Sequence, residues 1–549
     1  MYRCKGIVAG ILSVFMAVVS VGDSFARSQG SLLEVCFGDV AEPEKAGVKP
    51  FDPAGCDVLI DEGDSPVVKK VAGMFAADVS RVTGVETGVV YAPGRNSKAV
   101  IIGTIGQSCY IDALVRKGVL DVSPITGEWE RYRIINIENP LPGISDALVI
   151  AGSDRRGAAY GSFSVSESMG VSPWEWWADV PVKRRDNVRI YADYLSEAPS
   201  VKYRGIFIND EDWGLLPWAA GNYEKELGDI GPRTYERVCE LLLRLKGNML
   251  APAMHACTGA FYSHPESKAV VDSCGIIITT SHCEPMLFNN AAKSEWDTGR
   301  DGEWNYVTNK AVIYSKMDAR VKESASYENI YTMAMRGVHD EGMRGDLSME
   351  RRIEVLGEVI KDQRGILEKR LGRSASEVPQ IFVPYKETLD VYEAGLDIPD
   401  DITLVWPDDN YGYWKHLNDS VERSRRGGSG VYYHTSYLGT PHDYLWLCTT
   451  PPVLMYEELK KAYDYGADRY WLLNVGDIKP MEMAIQTFFE MAWDVEAFDI
   501  RSVNAHQPSM LAGIFGDELL PRFQRLLDEY YRLAWSRKPE YMGWEYEWD

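Results

Sequence analysis

Positive charge is scarce in this 549-residue sequence. Its 58 Lys and Arg residues are outnumbered by 81 Asp and Glu residues, which gives a formal net charge of −23. This balance argues against a nucleic-acid partner, because neutralising phosphates requires a basic surface. It also means that an anionic substrate would need a local cluster of Arg, Lys or His.

Several common catalytic motifs are also absent from the sequence. No Cys or His spacing matches a zinc site, and no serine lies in a GxSxG context. No glycine-rich run matches GxxxxGKS/T or GxGxxG, and the run from Gly152 to Gly157 only partly resembles a phosphate loop. We therefore expect no metal, no cofactor and no serine nucleophile.

Apolar runs of membrane-spanning length are missing beyond the N-terminus. There, Arg3 and Lys5 precede a mostly apolar stretch from Gly6 to Gly22, and Ser24-Phe25-Ala26 offers a cleavage site. We interpret residues 1–26 as a signal peptide, with a permanent anchor as the alternative. The sequence thus predicts an exported protein, periplasmic or secreted, with no membrane attachment after cleavage.

Cysteine is also sparse, with nine copies in all. The eight that follow the predicted signal peptide are widely spaced. An even number in an exported chain permits disulfides. The spacing instead favours small buried hydrophobic side chains for most of them.

Aromatic residues, by contrast, are plentiful, with 16 Trp and 31 Tyr. Flat rings stack on pyranose faces, although core packing is their ordinary use. A hydrophobic content of 45% and a charged content of 25% are typical of globular proteins. The length predicts two or three domains.

The apolar pattern divides the chain into three parts after the signal peptide. Residues 31–195 are predicted to form an N-terminal α/β domain. Residues 200–498 repeat a strand–helix rhythm eight times, which is typical of a (β/α)8 TIM barrel catalytic domain. Residues 499–549 are predicted to begin a helical domain that is truncated. The eight predicted strands are residues 203–208, 248–254, 276–280, 330–335, 380–384, 402–406, 430–433 and 470–474.

Each predicted strand of the barrel is followed by ionisable or hydrogen-bonding side chains. In a TIM barrel the chemistry lies at these carboxyl ends. Four of the eight histidines come directly after strands, which a merely solvated rim would not readily explain. The residues at the eight ends include Asp210, Glu211, Asp212, His255, His282, Glu284, Arg336, His339, Asp340, Glu341, Tyr385, Lys386, Glu387, Asp408, Asn410, His434, Tyr437, Asn474 and Asp477.

A ring of acids, amides and aromatic side chains favours glycoside hydrolysis, which uses two carboxyl groups. Glu387 is the candidate general acid, and the alternative is a rim glutamate paired with Lys386. Asp340 is the candidate base or water-positioning residue, and the alternative is a capping residue within its loop. Asp408 and Asn410 either bind sugar hydroxyls or form a turn through their own side chains.

An acidic sugar would need cationic partners in this acidic chain. Arg336 is the main candidate, because a guanidinium binds a carboxylate with two parallel hydrogen bonds. His282, His434 and Lys386 could add donors. For each of them, a purely structural role is the alternative.

Six ordered motifs resemble the family 115 glycoside hydrolases, which are α-glucuronidases. The motifs are YRGIFINDEDWGL, MRGVHDEGM, PYKE, WPDDNYG, YYHTSYLGTPHDYLW and WLLNVGDIKPMEMA. The resemblance implies an inverting enzyme that releases (4-O-methyl-)glucuronic acid, α-1,2-linked to xylose, from glucuronoxylan. It also implies an N-terminal α/β domain, a (β/α)8 barrel and a helical domain. Relatives continue into a further β-rich domain and dimerise through C-terminal elements, so that a homodimer of this chain is in question.

The resemblance places Glu387 on the general acid and Asp340 on the candidate base. It places nine further residues on pocket positions, namely Asp210, Glu211, His282, Arg336, Tyr385, Asp408, Asn410, His434 and Tyr437. Two alternatives stay open at this point. One is a non-catalytic glycan-binding protein, and the other is an exo-glycosidase of hexosaminidase-like layout, for which the adjacent pair Asp340 and Glu341 would serve.

Overall fold

The computed structural model describes residues 32–38, 47–94 and 96–542. The predicted signal peptide, residues 1–26, lies outside the described residues. Within the described part of the chain, no helix has the length and hydropathy needed to cross a bilayer. In the same part, no group of three or more Asp, Glu, His or Cys residues could hold a metal ion, and the eight cysteines there are free.

A seven-stranded sheet occupies the first part of the chain. Four of its strands run parallel and three pair antiparallel, in the order β1-β7-β5-β6-β4-β2-β3. The strands are β1 Leu32–Cys36, β2 Asp57–Leu59, β3 Val89–Val90, β4 Lys98–Thr104, β5 Tyr132–Leu141, β6 Ile144–Gly152 and β7 Arg189–Leu195. The helices are α1 Pro66–Thr83, α2 Cys109–Arg116 and α3 Arg155–Ser168.

The glycine-rich run between β6 and α3 has a structural role. Asp154 caps α3, because its Oδ1 accepts the backbone N–H groups of Arg156 and Gly157, each at 2.9 Å. Gly152 allows the strand to approach the helix, since a Cβ there would lie 2.1 Å from the nitrogen of Ala158. These contacts explain the run without a phosphate.

A curled eight-stranded parallel sheet forms the second part. Its order is β10-β9-β8-β15-β14-β13-β12-β11. Beside the two edge strands, the amide of Ile278 donates to the carbonyl of Glu328 at 3.3 Å, and the amide of Ile330 donates to the carbonyl of Ile278 at 2.9 Å. The strands are β8 Tyr203–Ile208, β9 Met249–Ala251, β10 Ile277–Ile278, β11 Tyr331–Thr332, β12 Gln380–Phe382, β13 Thr403–Pro407, β14 Ser429–His434 and β15 Tyr470–Gly476.

Helices connect these strands and continue past the last one. They are α4 Leu215–Trp218, α5 Pro232–Arg244, α6 Pro265–Ser273, α7 Thr298–Asp301, α8 Tyr306–Ser324, α9 Met349–Leu371, α10 Glu387–Glu393, α11 Ser420–Arg423, α12 Pro452–Asp464, α13 Glu482–Trp493, α14 His506–Phe515 and α15 Leu520–Ser536. Each of the eight predicted strand positions coincides with a strand. Ser348 caps the start of helix α9, and Gly372, with φ of 67°, ends it.

Alternate strand residues pack on opposite faces of the eight-stranded sheet. One face forms a cluster made mostly by the strands themselves, including Phe207, Met249 and Tyr432. The other face, including Ile206 and Leu250, packs against the helices in the main core. This two-sided burial holds the strand ends, and hence the side chains that follow them, in fixed positions.

A buried charge network joins the two sheets. Glu130, just before β5, accepts from Arg204 of β8 at 2.5 Å and from Arg156 of α3 at 2.6 Å. Asn248 donates to the same carboxylate at 2.8 Å. Glu130 and Arg204 are fully buried. Removing one member of such a network would leave the other charges buried without a partner. The network therefore fixes β8 against the first part of the chain.

The C-terminal helices pack over the segment that follows β14. Tyr530 of α15 donates to the carbonyl of Cys448 at 2.9 Å, and Lys538 donates to the hydroxyl of Thr449 at 2.5 Å. Glu540 accepts the amide of Leu445 at 2.8 Å. Helix α15 and the residues after it are thus held on the segment that connects β14 to α12.

Candidate active site

The carboxyl ends of the eight parallel strands carry a concentration of buried polar side chains. Burying such groups is costly unless they are paired or serve a function. Each of the following is less than 9% exposed: Asp210, Glu211, His255, His282, Glu284, Arg336, Asp408, His434 and Asn474. Their position agrees with the predicted ring of strand-end residues.

Arg336, which follows β11, binds both candidate catalytic acids. Its Nε and Nη2 donate to the two oxygens of Glu387 at 2.8 and 2.7 Å, which is a bidentate pair. Its Nη1 donates to Asp340. Arg336 itself is buried, and Trp304 donates to its backbone carbonyl at 3.0 Å. The guanidinium predicted to bind a substrate anion thus already holds two protein carboxylates.

Asp340 is the most heavily paired acid of the site. Besides Arg336, it accepts from Nε2 of His282 at 2.7 Å and from Nζ of Lys386 at 2.5 Å. Burial alone would raise the pKa of Asp340, but the His282 hydrogen bond and the charges of Arg336 and Lys386 hold that pKa well below its usual range. Asp340 is therefore ionised at neutral pH. We name Arg336, Asp340, Glu387, His282 and Lys386 the ion-pair cluster.

His282 acts in this cluster as a neutral donor. Burial lowers the pKa of His282 to about 4, against the weaker effect of Asp340. The ring therefore stays neutral at pH 7 and donates through Nε2. Its Nδ1 is buried and has no hydrogen-bond partner among the described residues.

Both acids of the ion-pair cluster reach the open side of the site. The side chains of Asp340 and Glu387 are 34% and 24% exposed, whereas that of Arg336 is 1% exposed. Glu387 is the first residue of α10, and Lys386 before it has φ of 50°. This backbone turn sends the two adjacent side chains to different partners.

Asp210, at the end of β8, has the opposite environment. It is 1% exposed, and neither carboxyl oxygen has a hydrogen-bond partner among the described residues. Nε2 of His255 lies 4.0 Å from Oδ1, which is too far for a hydrogen bond. Burial, aided by the charges of Glu211 and Asp212, raises the pKa of Asp210 to about 8. The Asp210 carboxyl is therefore protonated at neutral pH.

Glu211 is buried beside Asp210 but is partly satisfied. Its Oε1 accepts from the amide of His255 at 2.7 Å and from the hydroxyl of Thr258 at 2.8 Å. Its Oε2 has no partner within the described chain. Burial raises the pKa of Glu211, although the charge of His255 opposes this.

Two further acids follow β15 and β10, one on each side of β8 in the sheet. Asp477, after β15, accepts the amides of Leu215 and Ile478 at 2.6 and 2.8 Å, and burial raises its pKa to about 7. Glu284, after β10, accepts from Ser281 at 3.1 Å, and burial raises its pKa to about 8. We name Asp210, Glu211, Glu284 and Asp477 the carboxyl cluster.

Asp408 organises the segment after β13. Its Oδ1 accepts from Nδ1 of His434 at 2.5 Å and from the amide of Asn410 at 3.1 Å, and its Oδ2 accepts the amide of Gly412 at 3.0 Å. The side-chain oxygen of Asn410 accepts from the hydroxyl of Tyr385 at 2.9 Å. Of the two roles considered for Asp408, the structure shows the turn. Asp408 orients His434 and the loop.

The aromatic pocket residues form a connected wall. The rings of His282 and Tyr385 are 4.2 Å apart, and the ring of Tyr385 stacks on that of His434 at 6.4 Å. Tyr437 meets His434 edge to face at 5.8 Å, and its hydroxyl donates to the carbonyl of Thr440 at 3.3 Å. The structure thus brings the predicted pocket residues from β10, β12 and β14 into contact.

Residues 196–541 match the family described as glycosyl hydrolase family 115. This chain belongs to glycosyl hydrolase family 115. The match covers the eight-stranded sheet and the helices after it.

Among solved structures, this family 115 chain is similar to BtGH115A, a family GH115 4-O-methyl-α-glucuronidase with specificity for decorated arabinogalactans. The identity is 42% and the TM-score 0.82, over 89% of this chain and 63% of that one. The chain therefore spans less than two thirds of that neighbour's length. No curated protein matches the chain.

More distant likenesses concern the fold only. A GH20 exo-β-N-acetylglucosaminidase from Vibrio harveyi is 11% identical over 90% of this chain and 76% of that one, with a TM-score of 0.46. CpGH84D is 12% identical over 87% of this chain and 72% of its own, with a TM-score of 0.49. Scores this low carry no argument about the chemistry of this family 115 chain.

The sequence analysis assigned no individual role to three residues of this site. Glu284, Asp477 and His255 follow strands directly, and that position was the available signal. What the sequence could not show is that Glu284 is buried and Asp477 half-buried, or that the amide of His255 donates to Glu211.

Proposed function

We propose that this chain is an α-glucuronidase that removes (4-O-methyl-)glucuronic acid side chains from a plant polysaccharide. The observation that carries the proposal is Arg336, which holds two partly exposed carboxylates at the centre of a buried polar ring. Family membership and the 42% identical glucuronidase structure support it. Glucuronoxylan, through an α-1,2 linkage to xylose, is the first proposed substrate, and decorated arabinogalactan is the second.

The proposal includes a closed (β/α)8 TIM barrel as the catalytic domain. Eight parallel strands in a single sheet, with helices between most of them, support closure. So does the isolated parallel bridge between Ile278 and Asn329, which lies beside the two edge strands. In a barrel of this kind, all eight strand ends would face one substrate.

The proposed mechanism is inverting, with Glu387 as general acid and Asp340 as general base. Hydrolysis needs one group to protonate the leaving oxygen and another to take a proton from water. Asp340 suits the second role, because its three cationic or donor partners keep it ionised.

The acid role of Glu387 depends on Arg336. Both oxygens of Glu387 are held by that guanidinium, so neither is free to carry a proton to the leaving group. A substrate carboxylate has the same charge and shape and would compete for Arg336. We propose that the substrate carboxylate replaces Glu387 on Arg336. Glu387 is then free to protonate the leaving oxygen. Export through the signal peptide at residues 1–26 completes the proposal, since polysaccharides are extracellular.

The test is incubation with glucuronoxylan and, separately, with decorated arabinogalactan. Released 4-O-methylglucuronic acid would be followed by anomer-resolving NMR, and a β-product formed first supports inversion. Glu387→Gln should lower kcat by about a thousandfold, because general acid catalysis is worth that order. Glu341→Gln is the matched control, since the Glu341 side chain is 58% exposed and pairs with Arg344 at 2.8 Å.

Two results would contradict the proposal. Wild-type turnover by Glu387→Gln would contradict the role of Glu387 as general acid. If the wild-type chain released no sugar acid from either polymer, the proposed activity would be wrong. A glycan-binding protein without turnover is the second candidate, favoured by the occupied oxygens of Glu387. Binding of glucuronoxylan without release would establish it.

A further inference from the structure

Exposed tryptophan is concentrated near the strand ends that carry the site. Within the described chain, the exposed tryptophans are Trp213, Trp446 and Trp535, at 67%, 58% and 57%. Trp213 follows β8 and Trp446 follows β14. Trp535 lies on α15, which packs over the segment after β14. A single exposed ring is ordinary, but exposed rings that line a common groove mark a binding surface.

Trp535 lies beside a groove of about 480 Å³ between α15 and the start of α12. Its ring meets that of Tyr413 at 6.3 Å and an angle of 64°. Tyr413 is 40% exposed. Two rings that face solvent at an angle offer adjacent stacking surfaces for successive sugar rings.

The walls of the groove combine apolar and hydrogen-bonding side chains. Sugars present apolar ring faces and polar edges, so this mixture suits a glycan better than a lipid or an apolar helix. Both signs of charge occur in the lining, which suits a neutral chain. The apolar lining includes Pro452, Leu454 and Leu527, and the polar lining includes Glu457, Asn504 and Arg532.

One short loop connects the groove to the candidate active site. Asp408 and Asn410 face the site, and Tyr413 follows three residues after Asn410. The loop is fixed, because the amide of Asp409 donates to the carbonyl of Tyr413 at 2.7 Å and Tyr413 donates back to Asp409 at 3.1 Å. A polymer whose side chain entered the site would therefore have its main chain close to this groove.

We propose that the groove binds the main chain of the polysaccharide, a neutral pyranose chain, while its charged side chain occupies the active site. This inference rests on the proposed function and adds to it the surface that holds the main chain of the polymer. Trp535 and Tyr413 supply the stacking surfaces, and the polar walls bind hydroxyl groups.

The experiment measures binding and turnover separately with the full chain. Binding is measured by affinity electrophoresis in glucuronoxylan gels with Glu387→Gln as the background, so that hydrolysis does not interfere. Trp535→Ala and Tyr413→Ala should each weaken retention by about tenfold, the upper range for one aromatic contact. Trp535→Phe, which keeps a ring, should restore most of it. Tyr91→Ala is the control, since Tyr91 is 50% exposed but lies after β3.

Turnover is measured in the otherwise wild-type chain, on glucuronoxylan and on the disaccharide of 4-O-methylglucuronic acid and xylose. The variants should raise KM on the polymer and leave the disaccharide unchanged. Unchanged retention overturns the groove, and so does an equal loss on both substrates. Self-association that Trp535→Ala abolishes would assign the groove to a second copy and also overturn it. If the wild type releases no sugar acid but the variants lose retention, the proposed function fails and the groove stands.

Discussion

The ion-pair cluster and the carboxyl cluster occupy the strand ends of one sheet, yet their acids are in opposite electrostatic states. Asp340 shares three nitrogen donors, whereas Asp210 has no hydrogen-bond partner within the described residues. Pairing lowers the pKa of Asp340 despite burial, and burial raises that of Asp210 to about 8. The charge of an acid at these strand ends is therefore decided by its hydrogen-bond and ion-pair partners. Its residue type and its place after a strand do not decide it.

The two clusters therefore limit stability at opposite ends of the pH range. The unfolded chain protonates His282 below its ordinary pKa of 6.5, but the folded chain does so only near 4, so stability falls as pH falls through that window. The unfolded chain ionises Asp210 above 3.8, but the folded chain keeps the proton until about 8, so stability falls as pH rises.

Removing the cation between the two acids should have the largest effect. Arg336→Met would leave Asp340 and Glu387 without their shared partner, which makes the ion-pair cluster resemble the carboxyl cluster. We expect a loss of about 3 kcal/mol in the free energy of unfolding, since a buried charge pair is broken. Turnover of glucuronoxylan should fall by about a hundredfold or more. Urea unfolding at pH 7 and initial rates measure the two.

Arg344→Met provides the control for that change. Arg344 lies on the same segment but pairs with Glu341 on the surface, with side-chain exposures of 38% and 58%. Such pairs contribute about 0.5 kcal/mol or less. Equal losses from Arg336→Met and Arg344→Met would contradict the central role of Arg336.

The second prediction concerns Asp210 of the carboxyl cluster. Asp210→Asn keeps the shape of a carboxyl that is already neutral in the folded chain but removes its ionisation when unfolded. Between pH 5 and pH 7, the decline of unfolding free energy with pH should become shallower by about 1.4 kcal/mol per pH unit. Urea unfolding at several pH values measures this slope. A variant that loses stability at pH 7 by the same amount as at pH 5 would show that Asp210 is ionised and paired.

The smallest effect concerns the acid side. His282→Gln keeps a donor for Asp340 but cannot take a proton. The pKa of His282 differs between the folded and unfolded chain over pH 4 to 6.5, a narrower range than for Asp210. The total change in the free energy of unfolding is therefore smaller. We expect the loss of stability from pH 6.5 to pH 4.5 to shrink by about 2 kcal/mol, measured by thermal or urea unfolding. A steeper acid-side loss in the variant would mean that His282 carries a charge in the folded chain.

Much of the scaffold could be predicted because it rests on local pattern. Each of the eight strands of the curled sheet lies within or overlaps a predicted apolar run. The strands of the first sheet follow a less regular pattern. In β5, polar residues such as Asn136 and Glu138 interrupt the apolar alternation that identifies a strand.

The pairing within the site could not be predicted in the same way. The position of Glu387, Arg336 and Asp340 after strands predicted that they lie close together. It did not predict which side chain pairs with which. The alternative considered for Glu387, a pair with Lys386, was wrong: Lys386 binds Asp340, and Glu387 binds Arg336, 51 residues away in the sequence. Sequence adjacency misleads here because the backbone at Lys386 turns the two side chains apart.

The buried carboxylate of Glu130 has a consequence for how the molecule comes apart. It bonds Arg156 of the first sheet's helix and Arg204 of the second sheet's first strand, so neither half can open without exposing the charges of the other. The two sheets should thus melt in one calorimetric transition. A Glu130→Gln variant should separate that transition into two, with the N-terminal half free to melt first.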